Sequence, residues 1–364
     1  MHQRVIPLKL YLDFYFFSTI FHIYCIYYRL IWNFSGKYIL REMNPMPGFT
    51  THYLFGLNTY KHLDNIEIKK ILHKNHAAYS LGLQGPDVFF YFLPSYLIHS
   101  NNIGSVAHEE RTGKFLHYLL KSRELFPDNN ERQIAEAYIA GFLGHYVLDT
   151  HCHPYIYWKT RFEEKSSRYH GVHMRLEVDI DAELLQFYKH RVPSHFHQNT
   201  TIMLTSLQRR TIATVLHYAY AQTYPELHIW HSTMRVSIRS MQIGTRFLRD
   251  PSGKKKVFLR KLEGMILGYP LLSSMIPSDS LTFYLDPLNI LHKQWYNPWD
   301  KTFTSTDSFF DLMEDAQVEY TSVLKKLSEI FSNNSSSEKE CRKALLKQLG
   351  NNSYHSGLDT NGKC

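Results

Sequence analysis

Cysteine is scarce in this chain. Cys25, Cys152, Cys341 and Cys364 are spread over 364 residues, too few and too far apart for a disulfide framework, and the pattern fits a reducing compartment such as the cytoplasm. A strong charge of one sign is missing too. The formal net charge is +8 with 20% charged residues, and apart from Lys254-Lys255-Lys256 the cations are dispersed. Charge therefore singles out neither nucleic acid nor an anionic surface as a partner. Runs that alternate apolar and polar residues are absent, which removes sheet architectures and leaves an all-α class. No small-residue cleavage site follows the first apolar stretch, which argues against a removed signal peptide.

What is present divides the chain. Residues 1–45 form a hydrophobic extension, with Leu10 to Tyr28 near the length that crosses a bilayer. Asp13 and His22 lie inside it, and a charge at membrane depth costs roughly 2.5–3.5 kcal/mol. The extension reads either as a membrane anchor, which would attach a cytoplasmic protein to a membrane, or as sequence upstream of a true start at Met43 or Met46. The second reading is preferred. Residues 46–200 then form a site domain and 201–332 additional C-terminal helices packed on it, while 333–364 are polar and expected to be disordered. Helices are predicted at Phe49–Leu63, Asn65–Asn75, Thr112–Phe126, Glu131–Leu148 (ending before Pro154), Val172–Tyr188, Thr200–Tyr224, Leu227–Leu248 and Ser308–Ser332, the last capped by Thr306-Asp307. Residues 76–104 read as loop-rich, punctuated by Gly82, Gly85-Pro86, Pro94 and Gly104.

Histidine is the compositional outlier: 22 in all, 17 of them before residue 200. His145, Asp149 and His153 stand four apart, and His173 and Glu177 repeat the step. Such i,i+4 pairs project from one helix face and can close on one ion. Imidazole with carboxylate is a ligand mixture suited to zinc in hydrolytic sites. Alone, His145 and Asp149 would read as a packed core histidine beside a helix-end hydrogen bond, and His173/Glu177 as a surface ion pair with Arg175. Together with His151 and His153 they favour ligands. Asp179 and Asp181 are candidates to orient imidazoles, and His170 competes with His173 but lacks the i+4 carboxylate. Gly85-Pro86-Asp87 can place a carboxylate beside the aromatic run Val88–Phe92, whose fate is either core packing or a lipid-facing entrance. His52, His99 and His108 complete the candidates. No adjacent His-Asp pair occurs, which weighs against an HD-type phosphohydrolase.

In order, MPGFTTHYLFG (46–56), GLQGPDVFFY (82–91), HSNNIGSVAHEERTG (99–113), AGFLGHYVLDTHCHPY (140–155) and HGVHMRLEVDID (170–181) resemble the zinc-dependent phospholipase C family, a bacterial group that shares its all-helical fold with the S1/P1 nucleases. LNILHKQWYNPWDKTF (288–303) is similar to a segment of the intracellular branch. The resemblance implies a multi-helix domain and a multi-zinc hydrolase acting on a phospholipid at a membrane surface. It assigns one zinc to Asp87, a histidine, His145 and Asp149, and a second to His153, His173 and Glu177. A third would use His52, Asp149 and an N-terminal group. The histidine partnering Asp87 is His99 or His108, with His108 preferred. Asp87 is also implied as a base-like catalytic residue. The chain departs from secreted members in having no tryptophan near His52 to serve as a mature N-terminus, and in lacking a recognisable strand-rich lipid-binding module. The rival readings are a nuclease or nucleotidase on the same scaffold, which would bind nucleic acid, and a catalytically silent metal-binding module.

Overall fold

The computed structural model describes residues 48–92, 102–164, 169–266, 270, 272–279, 285–332 and 336–360. The extension 1–45, with its apolar stretch 10–28 and both candidate start methionines, lies outside the described residues. So do His99 and the side chain of His170. Among the described residues no helix is long and apolar enough to cross a membrane. All of them belong to one compact unit, Asn44–Cys364, so no domain break falls near residue 200.

The fold is all-α, arranged around one long helix. The first helices are α1 (Phe49–His62), α2 (Ile66–Lys74), α3 (His76–Gly82), α4 (Ile103–Glu109) and α5 (Thr112–Lys121), followed by the central α6 (Asn129–Lys159). Then come α7 (Tyr169–Lys189), the single turn α8 (Gln198–Thr201), α9 (Ser206–Thr223), α10 (His231–Leu248) and α11 (Lys254–Ile266). A short hairpin of β1 (Trp295–Asn297) and β2 (Asp300–Ser305) precedes α12 (Phe309–Ser332) and α13 (Ser336–Leu349). The hairpin corrects the expectation that strands are absent, although it leaves the class unchanged.

Helix α6 begins where the Asp128 carboxylate accepts hydrogen bonds from the backbone of Asn130 and Glu131. Apolar residues then run round all its faces, and Ile134 to Asp149 are buried without a break. A helix with no polar face must be enclosed. Helices α1, α2, α3, α9 and α12 and strand β1 enclose this one. The core is aromatic, with Tyr138, Tyr146, Tyr155, Tyr220, Tyr320, Tyr354, Phe55, Phe142 and Trp295 essentially without exposure. Four of its phenols find backbone acceptors: Tyr146 donates to Leu349, Tyr155 to Pro287, Tyr220 to Ile103 and Tyr320 to Ala140.

Several boundaries differ from expectation. Helix α6 does not stop before Pro154 but continues to Lys159. Proline removes one N–H from the ladder, and packing on both flanks outweighs that loss. Residues 76–89 are not loop: α3 is followed by a tight 3-10 turn at Gly85–Phe89, all of it buried. Thr200–Tyr224 divides into α8 and α9, the latter starting at a reciprocal Thr205/Gln208 capping box. The start of α12 is held by Ser308, whose backbone N–H and hydroxyl donate to Asp311, rather than by Thr306-Asp307.

The largest correction concerns the C-terminus. Residues 336–360 are structured: Leu345 and Leu349 of α13 are buried, and Tyr354 beyond it is fully enclosed. Polar composition suggested disorder, but these three apolar anchors suffice once a partner surface exists. Gly357, at φ +66°, fits against the carbonyl of Thr150, the helical acceptor that Pro154 leaves without a donor; a Cβ there would lie 2.5 Å from that oxygen. Residues 350–360 thereby reach the middle of the molecule.

Candidate metal centre

Four helices and one turn deliver eight side chains to one buried region. Helix α6 contributes His145, Asp149 and His153 at successive i,i+4 steps on one face, which the 3.6-residue period requires. Helix α7 supplies His173 and Glu177 in the same way, α1 supplies His52, α4 supplies His108, and the 3-10 turn supplies Asp87. None of the eight is more than 4% exposed.

The turn carrying Asp87 depends on Gly85. Its φ is +48°, and a Cβ there would strike the His145 ring at 2.2 Å. Only glycine allows both the left-handed backbone and the close approach. Helix α1 is fixed by Asp181 of α7, whose carboxylate accepts from Thr50 N–H (3.0 Å), Thr51 N–H (2.7 Å) and the Thr51 hydroxyl (2.7 Å). Asp181 thus positions His52 through its helix rather than by touching an imidazole. Asp179, the other candidate for orienting a ligand, interacts electrostatically with Lys256.

Backbone carbonyls set the imidazole tautomers. His108 Nδ1 lies 2.7 Å from Gly104 O, His145 Nδ1 3.2 Å from Leu83 O, and His153 Nδ1 2.8 Å from Tyr354 O. A carbonyl only accepts, so the proton is assigned to Nδ1 in all three and Nε2 keeps its lone pair. His173 Nδ1 pairs with the Tyr169 hydroxyl at 2.7 Å. None of these four partners could be read from sequence.

The free nitrogens converge with the carboxylates. His145 Nε2 is 3.0 Å from Asp149 Oδ2, and His108 Nε2 is 3.2 Å from Asp87 Oδ1. The cross distances His108–Asp149 and His145–Asp87 are 3.8 and 4.0 Å. Glu177 Oε1 lies 3.0 Å from His173 Nε2 and 3.6 Å from His153 Nε2. Tetrahedral zinc with bonds of about 2.0–2.1 Å spaces its ligand atoms roughly 3.3 Å apart. Both groups match that spacing. His52 Nε2 lies 3.2 Å from Asp149 Oδ1, and its ring stacks on His145 at 4.3 Å. Three sets of convergent ligand atoms result: His52/Asp87/His145, His108/His145/Asp149 and His153/His173/Glu177.

The electrostatics call for a cation. His145 Nε2, Asp149 Oδ2, both Asp87 oxygens and Glu177 Oε2 are buried without a hydrogen-bond partner. His145 Nε2 and Asp149 Oδ2 are two acceptors facing each other, and such a contact is stable only with a positive species between them. Burial favours the neutral form of three imidazoles, lowering His108 and taking His145 and His173 down to about 3, whereas at His52 the burial effect is outweighed by Asp149, then Asp87 and Asp181, which raise it. Burial, then the charge of Asp149, raises the Asp87 carboxyl well above its usual range, and burial pushes Glu177 up to about 8. For Asp149 burial acts the same way, but His145, His153 and His52 outweigh it and hold the carboxyl well below normal. Neutral imidazoles with carboxylates short of a counter-charge are the donor set that zinc takes.

Other candidates fall elsewhere. His151 pairs with Glu319 at 2.8 Å near the surface. In the aromatic run, Phe89, Phe90 and Phe92 are buried in the core, and half-buried Tyr91 packs over Gly244. Sequence reasoning missed His355, whose ring stacks on His108 with centroids 5.6 Å apart and lies 6.1 Å from His153.

The family model described as zinc dependent phospholipase C matches residues 51–233, half of the chain, and these contain all eight side chains. Neither the curated proteins nor the solved structures return a match.

Proposed function

The chain belongs to the zinc-dependent phospholipase C family, and we propose that it hydrolyses a phosphodiester bond of a phospholipid with zinc held by the eight converging side chains. The observation that carries the reading is the pair of ligand groups with unpartnered buried nitrogens and oxygens facing each other. We assign Asp87, His108, His145 and Asp149 to one zinc and His153, His173 and Glu177 to a second. For a third, His52 and Asp149 are the ligands among the described residues. Bound zinc supplies a hydroxide at neutral pH and neutralises charge growing on the phosphoryl oxygens.

The protein's own contribution is to hold this set rigid and dry. Carbonyl-fixed tautomers keep Nε2 of His108, His145 and His153 aimed at the ions without reorganisation. Asp181 holds the helix that bears His52. The base-like role of Asp87 rests on the family resemblance alone. A lipid is favoured over a nucleic acid because the exposed apolar residues Val257, Phe258 and Met265 stand on a helix with Lys254, Arg260 and Lys261. That combination suits an anionic phospholipid surface.

The test is zinc analysis of the purified protein, paired with hydrolysis of phosphatidylcholine vesicles with and without an added anionic phospholipid and of single-stranded DNA. Two or more equivalents of zinc with lipid hydrolysis are expected. Less than one equivalent would remove the metal reading. Full zinc and activity in His145→Ala would overturn the ligand assignment, and cleavage of DNA alone would transfer the protein to the nuclease reading.

A further inference from the structure

His355 stands at the metal centre without belonging to it. The eight candidate ligands are buried, and none of them lines the open cleft of about 1070 Å³ that Lys114, Phe162, Trp299 and His355 border. Among the described residues, His355 both lines this cleft and packs on the ligands. Its ring faces His108 of the first group (5.6 Å, 21° between planes), His153 of the second (6.1 Å), and Tyr157 (5.3 Å). Co-ligand rings are as far apart: His108–His145 at 5.8 Å and His153–His173 at 6.1 Å. Yet no nitrogen of His355 joins any convergent ligand set. It therefore borders both groups without being a member of any convergent set.

A phosphoryl group entering from this cleft would meet His355 beside one ligand of each group. The nearest carboxylate, Glu109 Oε1, lies 3.7 Å from His355 Nδ1, too far for a hydrogen bond. The backbone holds the ring in place independently: Tyr354 N–H donates to His108 O, and Tyr354 O accepts from His153 Nδ1. The residue is thus tied to one ligand from each group by its immediate neighbour.

We propose that His355, supplied by the C-terminal segment, donates an N–H hydrogen bond to a phosphoryl oxygen of the phosphodiester substrate. This rests on the hydrolase reading above. It adds a substrate contact from a segment that lies beyond the family match at residue 233.

The experiment compares His355→Phe, which keeps a flat ring, with His355→Gln, which keeps an N–H donor. Zinc content, hydrolysis of bis(p-nitrophenyl) phosphate and inhibition by inorganic phosphate are measured on each. His355→Phe is expected to retain zinc, to lose about 10- to 100-fold in kcat/KM and to weaken phosphate inhibition about tenfold, while His355→Gln stays within about fivefold of wild type. Kinetics of His355→Phe within about twofold of wild type, or loss of an equivalent of zinc, would overturn the proposal. Should the variants fail to fold, the zinc-loaded wild type is treated with diethyl pyrocarbonate and mapped by mass spectrometry. Protection of His355 by inorganic phosphate supports the contact, and unchanged modification overturns it. A wild type that hydrolyses no phosphodiester fails the hydrolase reading alone, because phosphate protection of His355 still decides this one.

Discussion

Removing the Asp181 carboxylate tests how the centre is held together. Asp181 accepts three buried hydrogen bonds at the start of α1: two from backbone N–H groups and one from the Thr51 hydroxyl. In Asp181→Ala these donors lose their acceptor, and each buried donor left bare costs about 1–3 kcal/mol. The favourable interaction of a carboxylate with a helix N-terminus, roughly 0.3–1 kcal/mol, goes as well. A small cleft lined by Thr50 and Asp181 can admit water to part of the gap, which places the total in the lower half of the range, about 3–5 kcal/mol. In a chain of this size that is roughly 2 °C per kcal/mol, a fall in Tm of about 6–10 °C. Thr51→Val deletes one bond of the three and should cost about 1–2 kcal/mol. The assay is thermal unfolding of both variants in their zinc-loaded forms, with hydrolysis measured alongside because α1 carries His52. A fall under about 2 °C for Asp181→Ala, or equal costs for the two variants, would refute the anchoring argument.

Further outcomes follow from the same structure. Tyr354→Ala should destabilise by about 3–5 kcal/mol, since the ring is fully buried, while Leu358→Ala at a 37% exposed position stays within about 1 kcal/mol; urea titrations compare them. Arg123 donates to Glu136 at 2.9 Å with both side chains buried, and also reaches Glu338 and the Phe331 carbonyl at 3.3 Å, so Arg123→Ala should cost about 3–5 kcal/mol and the double change Arg123→Met with Glu136→Leu should recover the part that belongs to the Glu136 charge. The zinc-free protein should lose stability as pH rises from about 7 to 8. In that window unfolded histidines are largely neutral, while folded Glu177 holds its proton up to about 8 and unfolded Glu177 has released it. His52, which burial lowers but Asp149 and further carboxylates raise on balance, acts in the same direction. The loss is about 1 kcal/mol and is reversed by zinc, so the Tm difference between zinc-loaded and zinc-free protein should widen across the window.

Much of the centre was legible because its residues obey helical spacing. His145, Asp149 and His153 on one helix and His173 and Glu177 on another need only the 3.6-residue period to converge. His52, Asp87 and His108 carry no such spacing signal; they stood as separate candidates, and the family resemblance joined them to the others as ligands. The acceptors that orient the ligand imidazoles were invisible: Leu83, Gly104 and Tyr354 act through main-chain oxygens, which any residue could supply. Pro154 misled because a local rule for ending helices was applied where burial on both flanks overrides it.

The C-terminal segment marks the division most clearly. Period and ligand chemistry, both local, already determined an all-α chain with imidazole–carboxylate pairs for zinc. Whether a polar stretch is ordered depends on what surface it meets, and part of that surface is built by residues more than 200 positions away. Only the tertiary structure decided that Tyr354 orients His153 and that His355 borders both ligand groups, because distances between segments remote in sequence are settled by packing and not by pattern.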